Sequence, residues 1–227
     1  PSRVVVMAGW DDVPHLDEDA KKQILEGTPA MLRDAVAKGI PTFGEGNVYP
    51  LGRTDIECDP FAIPSHYLRW YGMDVGWNCT AAVFFAQDPS SKQIWITDAY
   101  RGERSEPLIH AAAIKSKAQG WMRGAVDPAA RLRSQKDGSQ LLQIYRELGL
   151  EIIEANNNVE SGVSAVWELL STGKLKVFKS IPAWFGEFMT YIYENGRIKK
   201  VNDHLMDATR YGIMTKDRIA QVEPTTK

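Results

Sequence analysis

The residues best able to do chemistry in this sequence are acids placed at the ends of apolar runs. Asp74 lies inside YGMDVGW (residues 71–77), after strand-forming residues and two places before a glycine. A lone carboxylate in such a run is costly to bury unless a partner offsets its charge. Asp127 closes the apolar stretch of GAVDPAA, and Asp203 and Asp207 stand four apart in NDHLMDATRYG. Four-residue spacing puts that last pair on one helical face, with His204 three places before Asp207. Taken singly, each acid has a plainer reading. Asp74 can cap a turn, Asp127 can belong to an Asp-Pro turn, and Asp203 can complement a helix dipole. Asp207 is harder to dismiss, because Met206 and Ala208 flank it a turn into the helix; it needs a cation, from Arg210 or from a metal. Together the acids are more specific. Gathered carboxylates repel and raise one another's pKa, and a pair of Mg2+ or Mn2+ ions about 4 Å apart removes that penalty and makes a hydrolytic site. Three of these acids brought together in space therefore predict a two-ion centre, and Gly76 is given the task of letting a phosphate ester approach.

The elements that must position these residues follow from local patterning. Strands are expected at 70–75, 80–87 and 93–100, close enough in sequence for an antiparallel meander. After them come a helix from Pro107 to about Gln119 capped by Ser105, a strand at 123–127, a helix at 139–148, and a strand at 150–155. A helix at 159–171, a short strand at 175–178, a helix at 184–193 and a last helix from Asp203 capped by Asn202 complete the series. Three strands followed by strand–helix alternation predict an α/β chain with a mixed central sheet flanked by helices on both faces. Residues 1–69 differ: a strand at 4–7, helices at 17–26 and 29–38, then a Gly/Pro-rich stretch with a short strand at 56–58. The 227 residues are 44% apolar and 25% charged, with net charge −2 and only Cys58 and Cys79. That composition excludes a disulfide framework, and no apolar run reaches the length of a membrane span. The start at Pro1 points to a piece of a longer protein.

With those motifs in hand, YGMDVGW, AVDPAA and DHLMDATRYG resemble the C-terminal nuclease domain of the large terminase subunit of tailed bacteriophages, over roughly residues 70–216. WDDVPHLDEDAKKQIL and FGEGNVYP are similar to the segment that joins motor and nuclease in that family. The resemblance implies an RNase H-like fold and metal-dependent endonuclease cutting of double-stranded viral DNA during genome packaging. It places the metal-binding acids on Asp74, Asp127 and Asp207, with His204 and Asp203 as auxiliary residues. It implies three parts: 1–69 as linker and end of a missing ATPase motor, 70–216 as nuclease, and 217–227 as a tail. The partners implied are the chain's own ATPase domain, the portal protein and the small terminase subunit. The setting implied is the host bacterial cytoplasm, transiently at the procapsid portal and not in the virion, with no membrane. No GxxxxGKS or GxxxxGKT phosphate loop occurs in the chain, so ATP hydrolysis is not expected of it.

Duplex DNA needs cations for its phosphates. The candidates are Arg197, Lys199 and Lys200 before the last helix, and Arg131, Arg133 and Lys136 after Asp127; Lys174, Lys176 and Lys179 form a third group. ENGRIKKV (194–201) carries an Asn-Gly signal for a basic hairpin. Trp95, Trp121, Trp167 and Trp184 read as core, and Trp77 as a cleft residue. Two other functions fit the same acids: an RNase H-like resolvase, and a non-catalytic module that docks on portal or DNA.

Overall fold

The computed structural model describes residues 10, 17–27, 45–76, 78–128, 141–194 and 196–225. The expected elements at 4–7 and 29–38 lie outside them, as do Trp77, Arg131, Arg133 and Lys136. In chain order the elements are α1 (Glu18–Gly27), β1 (Glu45–Asn47), α2 (Arg53–Ile56), β2 (Glu57–Cys58), β3 (Leu68–Asp74), β4 (Cys79–Gln87), β5 (Ile94–Glu103), α3 (Pro107–Lys117) and β6 (Gly124–Val126). They continue with α4 (Leu141–Glu147), β7 (Ile152–Glu154), α5 (Val159–Ser171), β8 (Leu175–Phe178), α6 (Pro182–Thr190), β9 (Ile192–Glu194), β10 (Arg197–Ile198) and α7 (His204–Ile219). By internal contacts the chain forms two units. Pro1–Pro50 with Ile192–Lys199 is the smaller, and Leu51–Tyr191 with Lys200–Lys227 the larger.

The smaller unit contains α1 and an antiparallel sheet in the order β1-β9-β10. Asp17 starts α1 by accepting the Ala20 amide at 2.7 Å. β9 and β10 are the basic hairpin expected from the sequence, with Glu194 opposite Arg197 and Gly196 in the left-handed region its turn requires. The helix expected at 184–193 therefore stops at Thr190, and Ile192–Glu194 is strand.

The larger unit is built on a seven-stranded sheet in the order β2-β8-β5-β4-β3-β6-β7. β3, β4 and β5 are the predicted meander; β6 and β7 add parallel to β3, and β8 and β2 parallel to β5. Among the described residues β4 alone runs against the other six strands. It is buried along all of CTAAVFFAQ, as a central strand covered on both faces must be. Side chains alternate in direction along a strand, so β3 divides its residues between two faces. Tyr71 and Met73, with Ala82 and Phe84 of β4, pack on Ala111, Ile114 and Ala118 of α3 and on Leu142 and Tyr145 of α4. Trp70, Gly72 and Asp74 face the other way, towards α7, where Trp70 stacks on Phe85 at 5.2 Å. α7 crosses β3, β4 and β6 and is backed by α5 and α6. Helices thus cover both faces, as expected.

The seat of α7 depends on two glycines. A Cβ at Gly72 would lie 2.0 Å from the Ala208 carbonyl oxygen and 2.6 Å from the Gly212 nitrogen, and a Cβ at Gly212 would lie 2.4 Å from the Phe85 ring. With neither present, the helix backbone rests directly on the sheet, and Trp70 Nε1 donates to the Gly212 carbonyl at 3.0 Å. Gly76, the glycine given a purpose by the motif, is less constrained; its Cβ would meet only the Cys79 carbonyl oxygen, at 3.1 Å.

The starts of α3 and α7 differ from expectation, and that of α5 agrees with it. Glu106, not Ser105, is the N-cap residue of α3, and the Ser105 hydroxyl donates back to the Glu103 carbonyl instead. Asn158 caps α5 by accepting the Ser161 amide at 2.9 Å. Asn202 has a left-handed backbone and Asp203 occupies the N-cap position of α7. Of the four tryptophans expected in the core, Trp184 is fully buried; Trp95, Trp121 and Trp167 are only partly covered.

Candidate metal centre

Asp74 ends β3, and Asp127 follows β6, the parallel strand beside it. The Asp127 amide donates to the Met73 carbonyl at 3.2 Å, which continues the ladder past the last strand residue. The two acids therefore leave the same carboxyl edge of the sheet side by side, where sheets of this kind place their ligand sites. The third comes from above: because α7 lies on Gly72, its first turn carries His204 and Asp207 over the end of β3. His204 Nδ1 is 2.8 Å from Asp74 Oδ2. Burial raises the Asp74 pKa, the His204 bond opposes this, and the Asp207 and Asp127 carboxylates push it up further. The same three acids, after burial itself, raise the Tyr211 hydroxyl. Asp74, Asp127 and Asp207 are thus within electrostatic reach of one another.

Each acid is held by a partner. Asp207 is buried; Arg210 Nη2 and Nε donate to its Oδ1 at 2.7 and 3.2 Å, and Lys200 Nζ donates to its Oδ2 at 2.8 Å. Arg210 is itself 1% exposed. Arg210, the cation one turn along that the sequence offered, does pair with Asp207. Burial lowers the Lys200 pKa, but its bond to Asp207 and the nearby Asp203 carboxylate more than reverse this. The bond to Asp74, then a contact with Cys79, lifts the His204 pKa to about 10. Asn157 Nδ2 lies 3.4 Å from Asp127 Oδ1. Asp203 is buried, and Lys200 Nζ stands 3.0 Å from its Oδ2 without hydrogen-bond alignment.

These residues fit divalent-ion chemistry in kind. Their donors are hard carboxylate oxygens that repel one another, and one of them, Asp203 Oδ2, is buried without a hydrogen bond. In arrangement they are gathered around protein cations: among the described residues, no group of three or more His, Cys, Asp or Glu side chains is set to hold a metal ion.

The remaining candidates are more dispersed. Lys200 belongs to the larger unit and is engaged by Asp203 and Asp207. Arg197 and Lys199 belong to the smaller one, where Lys199 pairs with Glu194 at 2.9 Å. The third basic group is occupied locally: Lys176 donates to the Asp55 carbonyl, Lys174 to the Ser91 carbonyl, and Lys179 pairs with Asp59. Sequence reasoning missed Asn157, whose signal was the Asn156–Asn158 run before α5. It also missed Glu187, the one acid in the apolar helix PAWFGEFMT.

A mixed sheet with one antiparallel strand, acids at the carboxyl edge of two adjacent parallel strands, and a further acid from a crossing helix define an RNase H-like α/β domain. A family model described as the terminase RNaseH-like domain matches residues 71–216, and the chain belongs to that family. The large terminase subunit of Salmonella phage P22 is 31% identical over 229 residues, covering 95% of this chain and 45% of its own length. That of Enterobacteria phage LP7 is 31% identical over 231 residues, covering 96% and 47%. The chain thus spans about half the length of the curated relatives it matches. The solved P22 large terminase nuclease domain is 28% identical, with a TM-score of 0.70 over 79% of this chain and 96% of its own. The large terminase of a thermophilic bacteriophage, solved in complex with ADP, shares the fold at 18% identity, with a TM-score of 0.66 over 90% of this chain and 53% of its own. Among the described residues no helix is long and apolar enough to cross a membrane.

Proposed function

We propose that this chain is the nuclease part of a DNA-packaging terminase, a divalent-metal-dependent endonuclease that hydrolyses phosphodiester bonds of double-stranded viral DNA. The observation that carries the reading is the meeting of Asp74, Asp127 and Asp207 at one sheet edge, in a chain of the terminase family whose P22 relative is a nuclease domain. Asp74, Asp127 and Asp207 would hold two Mg2+ or Mn2+ ions. Bound there, such ions activate the attacking water and stabilise the leaving oxygen. The chain's own groups supply position and charge. Arg210 fixes Asp207 from below and His204 fixes Asp74. Arg197, Lys199 and Lys200, with Arg131, Arg133 and Lys136, are the proposed contacts to DNA phosphates. Such contacts bind without reading bases and weaken steeply with salt. The reading extends to an ATPase domain on the same polypeptide, to the portal protein and small terminase subunit as partners, and to work in the host cytoplasm at the procapsid.

The test is nicking and linearisation of supercoiled plasmid with Mn2+ or Mg2+, by this chain and by the longer protein that contains it. Asp74→Asn and Asp207→Asn should each abolish cutting while leaving the fold intact by circular dichroism. Cutting that survives Asp74→Asn refutes the acid assignment. A protein that never cuts, yet binds portal or DNA equally well as Asp74→Ala, is a docking module. Preference for four-way junctions over linear duplex would make it a resolvase.

A further inference from the structure

The N-terminus of α7 is capped from outside its own chain segment. Asp203 occupies the N-cap position, and an aspartate there ordinarily accepts the amide of the second or third helical residue. Those residues are Leu205 and Met206. The Asp203 carboxylate takes neither. Instead Glu187 Oε2, from α6, accepts the Leu205 amide at 2.6 Å, with the Met206 amide alongside. Glu187 is 5% exposed, and its other oxygen accepts from Arg101 Nε of β5 at 3.2 Å, so its charge is balanced on the side away from the helix. Asp203 therefore stays buried with an oxygen that has no hydrogen bond, turned to the same lysine that holds Asp207.

We propose that Glu187 is a positioning residue: by capping α7 in trans it frees the Asp203 carboxylate to serve, beside Asp207, as a fourth acid of the metal centre. The cap half stands on hydrogen bonds alone, and the metal half rests on the reading of the site given above. The position is hard to account for otherwise. A buried aspartate one step from two helix amides would satisfy itself by folding back on them, unless another acceptor had already taken them. Glu187 is that acceptor, and Arg101 pairs with its other oxygen at 3.2 Å.

Two measurements on the whole chain test this. The first is backbone amide exchange without metal. Asp203→Ala should leave Leu205 and Met206 protection unchanged, because Glu187 already caps them. Adding Glu187→Ala should speed their exchange about tenfold or more, the worth of a charge-assisted hydrogen bond. The second is Mn2+ binding by calorimetry. Glu187→Ala and Asp203→Ala should each weaken it about 10–100-fold, the double variant should be no weaker than either, and Glu187→Gln should restore binding by keeping the acceptor. Asp203→Ala alone carries both tests if Glu187→Ala does not fold. Faster Leu205 exchange in Asp203→Ala would overturn the trans cap. Unweakened Mn2+ binding in Asp203→Ala, or in a folded Glu187→Ala, would overturn the freed carboxylate. Wild-type protein that binds no Mn2+ overturns the metal reading and the freed carboxylate's role with it, and is told apart because it fails before any variant is compared.

Discussion

Replacing Gly72 by alanine should damage both stability and the site, because the new methyl meets backbone rather than a movable side chain. Its Cβ would sit 2.0 Å from the Ala208 oxygen, with Gly212 N and Cα at 2.6 and 2.9 Å behind it, whereas ordinary Cβ contacts begin at 3.4 Å. No rotamer change relieves this, so α7 must lift from β3 by more than about 1 Å. Overpacking of this kind costs about 1–3 kcal/mol, and the upper end applies where both surfaces are continuous backbone. Lifting also stretches the Trp70–Gly212 bond, worth about 1 kcal/mol. The lower chain entropy of alanine returns about 0.4–1 kcal/mol. The net loss of about 3 kcal/mol lowers the melting temperature of a domain this size by about 6–12 °C. Asp207 adjoins Ala208 and Asp74 is two residues beyond Gly72, so the same lift separates the acids. A shift of about 1 Å at a reacting centre can cost about 100-fold in rate. Metal-free melts and plasmid nicking below the melting point read the two effects separately. Gly186→Ala is the control: its Cβ meets nothing within 4 Å, and alanine in the body of α6 should stabilise by up to about 1 kcal/mol. A Gly72→Ala protein that melts within about 2 °C of wild type and cuts at full rate would refute the close seat of α7.

Arg210→Met removes both donors to Asp207 Oδ1 and leaves a buried carboxylate with Lys200 alone; breaking such a pair costs about 3–5 kcal/mol. Urea unfolding should show that loss, with part of it recovered when Asp207→Asn is added, and a cost below about 1 kcal/mol would mean the pair is not buried in solution. His110, buried and bonded to the Tyr100 hydroxyl at 2.8 Å, has its pKa lowered from 6.5 by burial. Between the folded value and 6.5 the unfolded chain binds more protons. Stability should therefore be fully present above about pH 6.5 and decline as pH falls below it, and His110→Gln should flatten that decline in melts between pH 7.5 and 5.5. A steeper decline in the variant would reverse the sign and defeat the reasoning.

What could be read from the sequence was what period and punctuation encode. β3, β4, β5 and β8 stand within two or three residues of their expected places, because alternation and turn residues mark strands directly. α5 matches its expected bounds, because Asn158 and the Thr172-Gly173 turn mark its ends. Where a boundary depends on a partner far along the chain, local pattern failed. Ile192–Glu194 continues the apolar run of α6, and it is strand only because β1 and β10 pair with it. The cap of α7 looked like Asn202, and the atom that performs it sits in Glu187, a residue whose own surroundings are a plain apolar helix.

The site divides along the same line. A carboxylate at the end of an apolar run is conspicuous wherever the chain goes, so Asp74, Asp127 and Asp207 stood out as candidates before any coordinates, and Arg210, one helical turn from Asp207, could be named beside it. The partner of Asp74 is chosen by crossing geometry. His204 reaches Asp74 only because α7 seats on Gly72, and that seat needs glycine at both 72 and 212. The motif directs attention to Gly76, the glycine nearest the acid, yet the one that brings Asp207 to Asp74 lies on the other side of Met73. In a stretch where one residue in seven is charged and two are glycine, the residue that makes the charge useful is the one without a side chain beneath the helix.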